Sequence, residues 1–503
     1  MTATIRTGGL QGLDGVTVHV EVDLVRGLPG FHLVGLPNTA VRESRERVLA
    51  AIRNSGYRLP AGKVTVNLAP ADIRKEGAGH DLAIAVAVIA AERRRRGRRD
   101  GRGGFLLGEL SLFGQVRPVR GLLAIVLDAR ARGEATVVVP REQVWEARLV
   151  PGVEVVGVAT LAEAVEWYLA GRRPDADDPA TPMTAPETPE TPDDVLALPP
   201  HLTRAALLAA AGRHHLLLIG PPGAGKTRLA RLLMGLLPDL EPSEALAVTR
   251  IHSAAGLLNR PGLVTRPPLR APHHTITTAG LLGGGANLRP GEVTLAHLGV
   301  LFLDELSEFG GRTLDALREP LSEGVVRVAR GSGQRAFPAR FQLVAATNPC
   351  RCGYLGSRLR TCTCTASEVA RHRGRLSGPL RDRFDLVVDL GEQTGALSRD
   401  EERRQLRRQV DAARRVLARA RPTPVSWSLQ RRVVALGLDA AAQDVLTAAR
   451  GPLGLSARAV LRACRVARTA AALAGAAAVQ PEHVQEALGY RHEALGSWLA
   501  AEG

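Results

Sequence analysis

The sequence lacks the long apolar segments that membrane and secretory proteins need. No run of about 18 uncharged apolar residues occurs anywhere in the chain. Its first residues, Met-Thr-Ala-Thr-Ile-Arg, carry no apolar stretch of the kind that a secretory signal requires. We therefore expect a soluble, cytoplasmic protein with no membrane partner.

Lysine is nearly absent, since Lys63, Lys75 and Lys226 are the only lysines and arginine supplies the remaining positive charge. The formal net charge is nevertheless +16. Such an excess favours a polyanionic partner such as nucleic acid, because neutralised phosphates release condensed counterions. A compositional bias toward arginine would produce the same surface without such a partner.

Cysteine is also scarce, and the five cysteines do not resemble the framework of a secreted disulfide protein. Four of them form two Cys-x-Cys pairs on one short segment, Cys350 with Cys352 and Cys362 with Cys364. Four thiolates at this spacing could close a tetrahedral zinc site. Reduced structural thiols and a redox switch are the alternatives. Cys464 lies in a helical pattern, where a small packed residue is expected.

The length and patterning predict several domains, because the chain is longer than one hydrophobic core usually supports. Residues 1–171 alternate short valine-rich strands with helical patterns, which indicates an α+β domain. Residues 172–200 turn to proline, threonine and acidic residues, which is typical of a linker. An α/β core over residues 201–391 and a helical lid over residues 392–503 complete the prediction.

A phosphate-binding loop follows a predicted apolar strand at residues 216–219. Glycines in such a loop let backbone N–H groups converge on phosphate oxygens. A lysine would meet the β- and γ-phosphates, and the hydroxyl after it would ligate Mg²⁺. The loop reads Gly220-Pro221-Pro222-Gly223-Ala224-Gly225-Lys226-Thr227.

Polar side chains end two further apolar strands. Asp304 and Glu305 follow residues 300–303, which places both carboxylates beside the phosphate loop in a doubly wound sheet. Asp304 would hold the magnesium shell and Glu305 would polarise the attacking water, so the pair favours hydrolysis over mere binding. Asn348 follows residues 343–346, and its amide could hold the same water or only form a turn.

Phosphoryl transfer also needs positive charge near the γ-phosphate, and an arginine from a neighbouring subunit commonly supplies it. Arg383 is one candidate, in the sequence Ser-Gly-Pro-Leu-Arg-Asp-Arg-Phe-Asp. Arg458 is another, at the start of a predicted lid helix. Because arginine is so common in this chain, a plain surface charge is the alternative for both.

A set of short motifs is spread over the chain. They are Arg-Ala-Pro-His-His-Thr at 270–275, Gly-Gly-Gly at 283–285, Arg-Pro-Gly-Glu at 289–292, residues 300–309, Ala-Thr-Asn-Pro-Cys at 346–350, residues 377–385 and Ser-Ala-Arg at 456–458. Together they resemble the YifB family of magnesium-chelatase-like AAA+ ATPases, which includes the ComM-type competence proteins. The resemblance covers nearly the whole chain apart from the linker, and it implies a hexameric ring with ATP between subunits.

The sequence predicts a β-hairpin at residues 324–341, and the resemblance suggests a role for it. This hairpin is similar to the pre-sensor hairpin that helicase-like relatives point into the ring pore. Arg327, Arg330 and Arg335 could there follow a phosphate backbone. A structural brace is the alternative for the hairpin.

An insertion at residues 251–298 could reach into the same pore, with His273 and His274 as packing or interface residues.

The sequence departs from the family just before the phosphate loop. Relatives usually carry an Asp-Val-x-Gly-Gln-type segment over the adenine, whereas residues 193–204 read Asp-Asp-Val-Leu-Ala-Leu-Pro-Pro-His-Leu-Thr-Arg. Phosphate binding is therefore better supported than adenine selectivity.

The N-terminal segment resembles the Lon-type protease fold that accompanies this family, through residues 69–77 and 108–121. A Lon-type site needs a serine nucleophile that a lysine activates. On that pattern the serine position falls near Gly79 and the lysine position near Leu123, and neither residue can do this chemistry. We expect a binding or assembly module and not a peptidase.

The sequence as a whole predicts an α/β AAA+ core with a helical lid, preceded by an α+β Lon-protease-like domain. The resemblance implies an ATP-driven, hexameric DNA helicase that promotes branch migration of recombination intermediates in natural transformation. Its partner would be branched or single-stranded DNA, and its cofactors would be ATP, Mg²⁺ and, at the four-cysteine loop, zinc. A chelatase-type ATPase that remodels a protein or drives metal insertion is the alternative.

Overall fold

The computed structural model describes residues 2–35, 39–71, 77–98, 101–174, 199–258, 260–284, 289–330, 333–357, 360–391, 400–419 and 428–499. The chain forms two compact units. The first contains Met1–Glu187, Ala245–Val264 and Gly285–Pro290, and the second contains Thr188–Glu244, Thr265–Gly284 and Gly291–Gly503. Most of the expected linker and part of the segment expected over the adenine lie outside the described residues.

The first unit contains a seven-stranded mixed sheet in the order β3-β4-β2-β1-β5-β8-β9. The strands β2 and β1, and β2 and β4, pair antiparallel, while the other neighbours pair parallel. The elements are Thr2–Gln11 (β1), Asp14–Val25 (β2), Gly30–Val34 (β3), Thr39–Asn54 (α1), Lys63–Ala69 (β4), Asp81–Arg95 (α2), Phe105–Leu106 (β5), Glu109–Leu110 (β6), Val116–Arg117 (β7), Leu122–Ala131 (α3), Thr136–Pro140 (β8), Val144–Ala147 (α4), Glu154–Val158 (β9) and Leu161–Ala170 (α5).

Alternation along the strands explains this sheet. Val18, Val20 and Val22 of β2 are almost fully buried, and the residues between them are more exposed. The helix α2 is buried nearly all round through residue 92, as its run of Leu, Ala, Ile and Val predicts. A mixed sheet with packed helices agrees with the α+β pattern of the sequence.

The second unit has a five-stranded, all-parallel sheet in the order β11-β14-β17-β10-β18. The remaining elements of the chain are Pro200–Gly212 (α6), Leu216–Ile219 (β10), Lys226–Leu236 (α7), Pro242–Ala255 (α8), Leu269–Arg270 (β11), Thr278–Leu282 (α9), Gly283–Gly284 (β12), Arg289–Pro290 (β13), Glu292–Leu295 (α10), Val300–Leu303 (β14), Gly311–Asp315 (α11), Arg318–Glu323 (α12), Val325–Arg330 (β15), Gly333–Pro338 (β16), Gln342–Thr347 (β17), Ala366–Gly374 (α13), Gly378–Arg381 (α14), Leu386–Asp389 (β18), Asp400–Ala418 (α15), Leu429–Ala435 (α16), Ala440–Arg450 (α17), Ala457–Ala474 (α18) and Pro481–Leu499 (α19). Short 3₁₀ turns occur at Arg141–Gln143 and Leu306–Glu308.

The three strands expected around the nucleotide are β10, β14 and β17, and they are neighbours in the sheet. All residues of these strands are buried, because helices cover both faces of a parallel sheet. From Asp400 onward every described element is a helix, and these helices share one apolar core with α6 and α7. The predicted α/β class with a C-terminal helical region is confirmed.

One segment lies elsewhere than the sequence-based boundaries place it. Residues 245–264 fall within the range expected for the ATPase core, but they pack in the first unit. The helix α8 buries Val248 and Ile251 there, and its Ser253 hydroxyl bonds the buried carboxylate of Glu146 at 2.5 Å. The Ser253 hydroxyl joins the N–H of Leu123 and the side-chain amide of Gln143 as a donor to this buried carboxylate.

Candidate nucleotide site

The phosphate-binding loop begins where β10 ends. Gly223 and Gly225 have φ values of +81° and +85°, which residues other than glycine rarely adopt. Gly225 is also the N-cap of α7, so the first turn of this 11-residue helix opens directly from the loop. The loop backbone and the helix N-terminus together form the kind of site that binds phosphate.

Lys226 is held at the centre of the site. Its Nζ donates to the carbonyl oxygens of Gly220 and Pro221 at 2.7 Å and 2.9 Å, and to Asn348 Oδ1 at 2.9 Å. Burial lowers the pKa of Lys226, while the Asp304 and Glu305 carboxylates act in the opposite direction. The ammonium is therefore partly desolvated, and a charge that is less screened by water attracts phosphate more strongly.

The end of β14 supplies two carboxylates. The Thr227 hydroxyl lies 3.4 Å from Asp304 Oδ2, and the backbone N–H of Glu305 donates to Asp304 Oδ1 at 2.9 Å. Hydroxyl and carboxylate oxygens are the ligands that Mg²⁺ prefers. Thr227 and Asp304 thus provide a donor set that fits magnesium.

Glu305 has a strained backbone. Its φ and ψ are 51° and 49°, in the left-handed region that residues other than glycine seldom occupy. Such a conformation costs on the order of 1 kcal/mol and persists only where the surrounding structure holds it. It turns the chain sharply between Asp304 and the 3₁₀ turn that begins at Leu306.

Asn348 is fixed from two sides. Its side-chain oxygen accepts from Lys226, and its backbone oxygen lies 3.0 Å from His372 Nε2. Burial lowers the pKa of His372, which favours the neutral ring. Since Asn348 lies directly after β17, between β10 and β14, the sheet order brings it to the phosphate loop.

A cavity of about 470 Å³ lies beside these groups. Thr227, Asp304 and Glu305 line one side of it. His273 and His274 line another, where the sequence predicted only packing or interface roles for them. The sequence does carry a signal for this placement, because the histidines follow β11 as Asp304 follows β14, but the adjacency of the two strands is visible only in the sheet.

The two candidate arginines do not line this cavity. Arg383 donates to the carbonyl oxygens of Arg318 and Pro379 at 3.2 Å and 2.6 Å, and to the Ser322 hydroxyl at 2.9 Å. Burial lowers the pKa of Arg383, and the positive charges of neighbouring arginines, Arg458 among them, act in the same direction. Arg458 is exposed at the start of α18. One chain therefore keeps Arg383 and Arg458 away from the cavity beside Thr227 and Asp304, whose lining contains Arg231.

The four cysteines meet in space. All four sulfur atoms lie within 4.8 Å of one another. Cys350 Sγ is 3.4 Å from Cys352 Sγ and 3.6 Å from Cys362 Sγ, which are 3.5 Å apart. Zn–S bonds of about 2.3 Å in a tetrahedron separate sulfurs by about 3.8 Å, so these distances fit zinc ligation.

The four-cysteine loop packs against the phosphate loop. A Cβ added to Gly353, whose φ is +87°, would lie 2.7 Å from Pro222 Cδ and 3.9 Å from Asn348 Cγ. The backbone at Gly353, within the four-cysteine segment, therefore approaches Pro222 of the phosphate loop too closely for a side chain at that position. Cys464, in contrast, is buried in α18, and burial raises its pKa to about 12, as expected of an inert packed thiol.

The predicted hairpin is formed by β15 and β16, paired from Val325 with Pro338 to Arg330 with Gly333. Arg327 pairs opposite Ala336 and Arg335 opposite Val328, so these two arginines belong to opposite faces of the hairpin. Arg327 forms ion pairs with Glu319 and Glu323 of α12. Arg335 is partly exposed, while the side chain of Arg330 lies outside the described residues.

In the first unit, the two positions expected for a protease nucleophile and its lysine hold neither. Gly79 lines a second cavity of about 470 Å³. Leu123 is fully buried, and its N–H donates to Glu146 Oε1 at 3.0 Å.

In the part of the chain that the structure describes, no helix is long and apolar enough to span a bilayer.

Comparison with known proteins assigns the family. Models of magnesium chelatase, subunit ChlI, match residues 197–397, with its C-terminal part at residues 400–491, and a model of subunit ChlI of Mg-chelatase matches residues 20–143. The chain is 39% identical to YifB of Escherichia coli over 97% of its own length and 96% of YifB. It is 38% identical to the competence protein ComM of Haemophilus influenzae over 97% of each chain. The chain belongs to the YifB/ComM-type magnesium-chelatase-like family.

A more distant relative covers only part of this YifB/ComM-type chain. The Holliday junction branch migration complex subunit RuvB of Synechocystis is 31% identical over 196 residues, which is 37% of this chain and 39% of RuvB. This similarity supports an AAA+ ATPase-like core in the YifB/ComM-type protein, in agreement with its parallel sheet and phosphate loop.

Proposed function

We propose that the protein hydrolyses ATP as a ring-forming motor that moves DNA and promotes branch migration of recombination intermediates, in natural transformation. The observation that carries the ATPase part is the convergence of Lys226, Asn348, Thr227 and Asp304 within hydrogen-bonding reach. The DNA part is supported by similarity to a competence protein and to a branch migration subunit.

Each group at the nucleotide has a role in this proposal. Lys226 binds the β- and γ-phosphates, and Thr227 and Asp304 hold Mg²⁺, which neutralises phosphate charge when bound. Glu305 orients and polarises the attacking water, and Asn348 holds that water beside the γ-phosphate. The loop residues Gly220 to Thr227 surround the phosphates, which are bound by backbone N–H groups of the residues other than Pro221 and Pro222.

The ring is proposed as a homohexamer, because the two arginines predicted to act at the γ-phosphate do not line the cavity of their own chain, where Arg231 is the arginine present. Arg383 and Arg458 lie away from the cavity of their own chain. In a ring they would reach the nucleotide of the adjacent subunit and complete the positive charge that phosphoryl transfer needs. The Lon-like first domain then serves as an assembly or binding module.

The hairpin and the net charge of +16 support a DNA substrate. In a ring pore, Arg330 and Arg335 would contact the phosphate backbone directly. Arg327 would contribute after exchanging its partners Glu319 and Glu323 for phosphate.

The four-cysteine loop is proposed to hold one zinc ion through Cys350, Cys352, Cys362 and Cys364. Four thiolates give the closed ligand set of a structural zinc site, which leaves no position for a substrate. The zinc would hold Gly353 against Pro222 and so support the shape of the nucleotide site.

A synthetic four-way junction tests the motor. Purified protein with ATP should convert the junction to duplex products, and DNA should raise the rate of ATP hydrolysis. Glu305→Gln should lose both activities and keep ATP binding. Arg327, Arg330 and Arg335 changed together to Ala should weaken DNA binding and flatten its salt dependence, while exposed Arg450 changed to Ala serves as the control.

The junction and ATPase assays can also contradict the proposal. ATP turnover that no DNA stimulates, together with an unmoved junction, would contradict the DNA motor. The result would favour the second candidate, a chelatase-type ATPase that remodels a protein or drives metal insertion, which similarity to magnesium chelatase supports. A pull-down with the Glu305→Gln variant and ATP would then be expected to retain a protein partner.

A further inference from the structure

The segment that follows β11 brings a histidine to Glu305. The strand β11 is parallel to β14, with Leu269 opposite Val300 and Arg270 opposite Leu301. Both strands therefore leave the sheet at the same edge. Four residues after Arg270 the chain reaches His274, as it reaches Glu305 four residues after Leu301.

The two side chains are close neighbours. His274 Nδ1 lies 3.6 Å from Glu305 Oε2, and the side chains are 32% and 59% exposed. Both line the cavity beside Thr227 and Asp304. The histidine thus meets the proposed catalytic carboxylate on the wall of the nucleotide site.

The imidazole is held more firmly than the carboxylate. The ring of His274 meets Phe309 edge-on, with centroids 6.4 Å apart, and Phe309 is 3% exposed. The ring of His273 covers another side at 4.0 Å. A packed imidazole can therefore restrict an exposed carboxylate, which otherwise has several rotamers available.

We propose that His274 is a positioning residue that holds the Glu305 carboxylate in the orientation needed to polarise the attacking water. The inference rests on the proposed ATP hydrolysis and assigns no proton transfer to His274. Its physical basis is that a misplacement of about 1 Å in a catalytic group can cost about 100-fold in rate. The strained backbone of Glu305 sets the direction in which its side chain leaves the chain. His274 then restricts the position of the carboxylate at the end of that side chain.

His273 provides a matched comparison. Its Nδ1 lies 2.9 Å from the Thr275 hydroxyl, and it accepts from the Thr275 N–H at 3.4 Å. The two histidines are adjacent and share the cavity, yet among the described residues only the His274 ring is recorded close to a Glu305 carboxylate oxygen, at 3.6 Å. Removing each ring in turn separates the contact with the carboxylate from general packing.

The test compares His274→Leu, His274→Asn and His273→Leu in the full chain without DNA. Steady-state hydrolysis gives kcat and KM, and a fluorescent ADP analogue gives nucleotide affinity. His274→Leu should lower kcat about tenfold, with KM and ADP affinity within about twofold of the wild type. His274→Asn should restore most of kcat, because its amide nitrogen can take the place of Nδ1. His273→Leu should lower kcat less than His274→Leu.

A double-mutant cycle adds a measurement that simple misfolding would not reproduce. In the Glu305→Gln background, His274→Leu should cause no further loss of residual turnover, because it acts only through the carboxylate. Unchanged kcat in His274→Leu, additive losses with Glu305→Gln, equal losses from both histidines, or no recovery with Asn would each overturn the inference. Absence of ATP turnover in the wild type would overturn the proposed hydrolysis itself, so the two failures are distinct.

Discussion

Lys226 and Asn348 form the contact that links the phosphate loop to the neighbouring strand. The ammonium donates to the amide oxygen at 2.9 Å and is partly desolvated, so its position depends on this acceptor. The loop motif alone predicted the lysine, but its partner lies 122 residues away in sequence. Only the pairing of β10 with β17 brings the two together.

We expect Asn348→Ala to lower kcat for ATP about 100-fold and to change ATP affinity much less. The amide is proposed to hold the attacking water, and loss of a comparable group at other sites has an effect of this size. Steady-state hydrolysis and nucleotide-binding titrations would measure the two effects. Asn67→Ala, in the first unit, is the control. Equal turnover in the two variants would contradict the assigned role of Asn348.

At the scale of elements, the four-cysteine loop joins β17 to α13 beside the phosphate-binding loop. Cys350 is fully buried, and Gly353 makes the close approach to Pro222. The helix α13 begins with a capping box in which Thr365 and Glu368 satisfy each other's backbone N–H groups. The loop is thus fixed at both ends, and a metal would fix its middle.

Purified protein should contain about one zinc ion per chain, measured by mass spectrometry of metals. Cys352→Ser with Cys362→Ser should abolish zinc binding and lower ATP turnover, because the loop would no longer brace Pro222 and Asn348. Cys464→Ser is the matched control, since that thiol lies in α18 away from the loop. Stoichiometric zinc in the double variant would contradict the assigned ligands. Full turnover in a zinc-free double variant would contradict the bracing role alone.

The hairpin shows how an element can be predicted while its surface is not. Alternating residues and a glycine-containing turn predict β15 and β16. The partners of Arg327 could not be predicted, because Glu319 and Glu323 approach it only when α12 packs beside β15. Counting arginines in the sequence therefore overstates how many are available to DNA.

At the scale of the whole molecule, the second unit contains two histidines with lowered pKa values, the half-buried His215 and the buried His297. Burial lowers the pKa of His215 and of His297 to about 4. The Asp385 carboxylate opposes this shift at His215, and Arg462 adds to it. Both rings accept a backbone N–H through Nδ1, from Leu343 and Arg340 respectively, which requires that nitrogen to be unprotonated.

We therefore expect the stability of the second unit to fall as the pH drops from about 6.5 to about 4. In this window the unfolded chain binds protons that the folded chain excludes, at a cost on the order of 3 kcal/mol for each histidine at the acid end. Thermal unfolding at a series of pH values would measure the fall. His297→Asn, which keeps an acceptor near Nδ1, should reduce the pH dependence, whereas exposed His32→Asn in the first unit should not. If stability depended on pH equally in the His297→Asn and His32→Asn variants, His297 would not be the source of the pH dependence.

The sequence by itself determined the fold class and predicted the residues proposed for nucleotide chemistry, because both depend on local patterns. A glycine-rich loop after an apolar strand, carboxylates at the end of another strand, and four closely spaced cysteines are all readable within short windows. Tertiary structure alone decided which distant groups meet. It placed His274 on Glu305 through the pairing of β11 with β14 and returned residues 245–264 to the first unit. Sheet order and the burial of Glu146 depend on contacts between residues far apart in sequence, and no local pattern specifies those contacts.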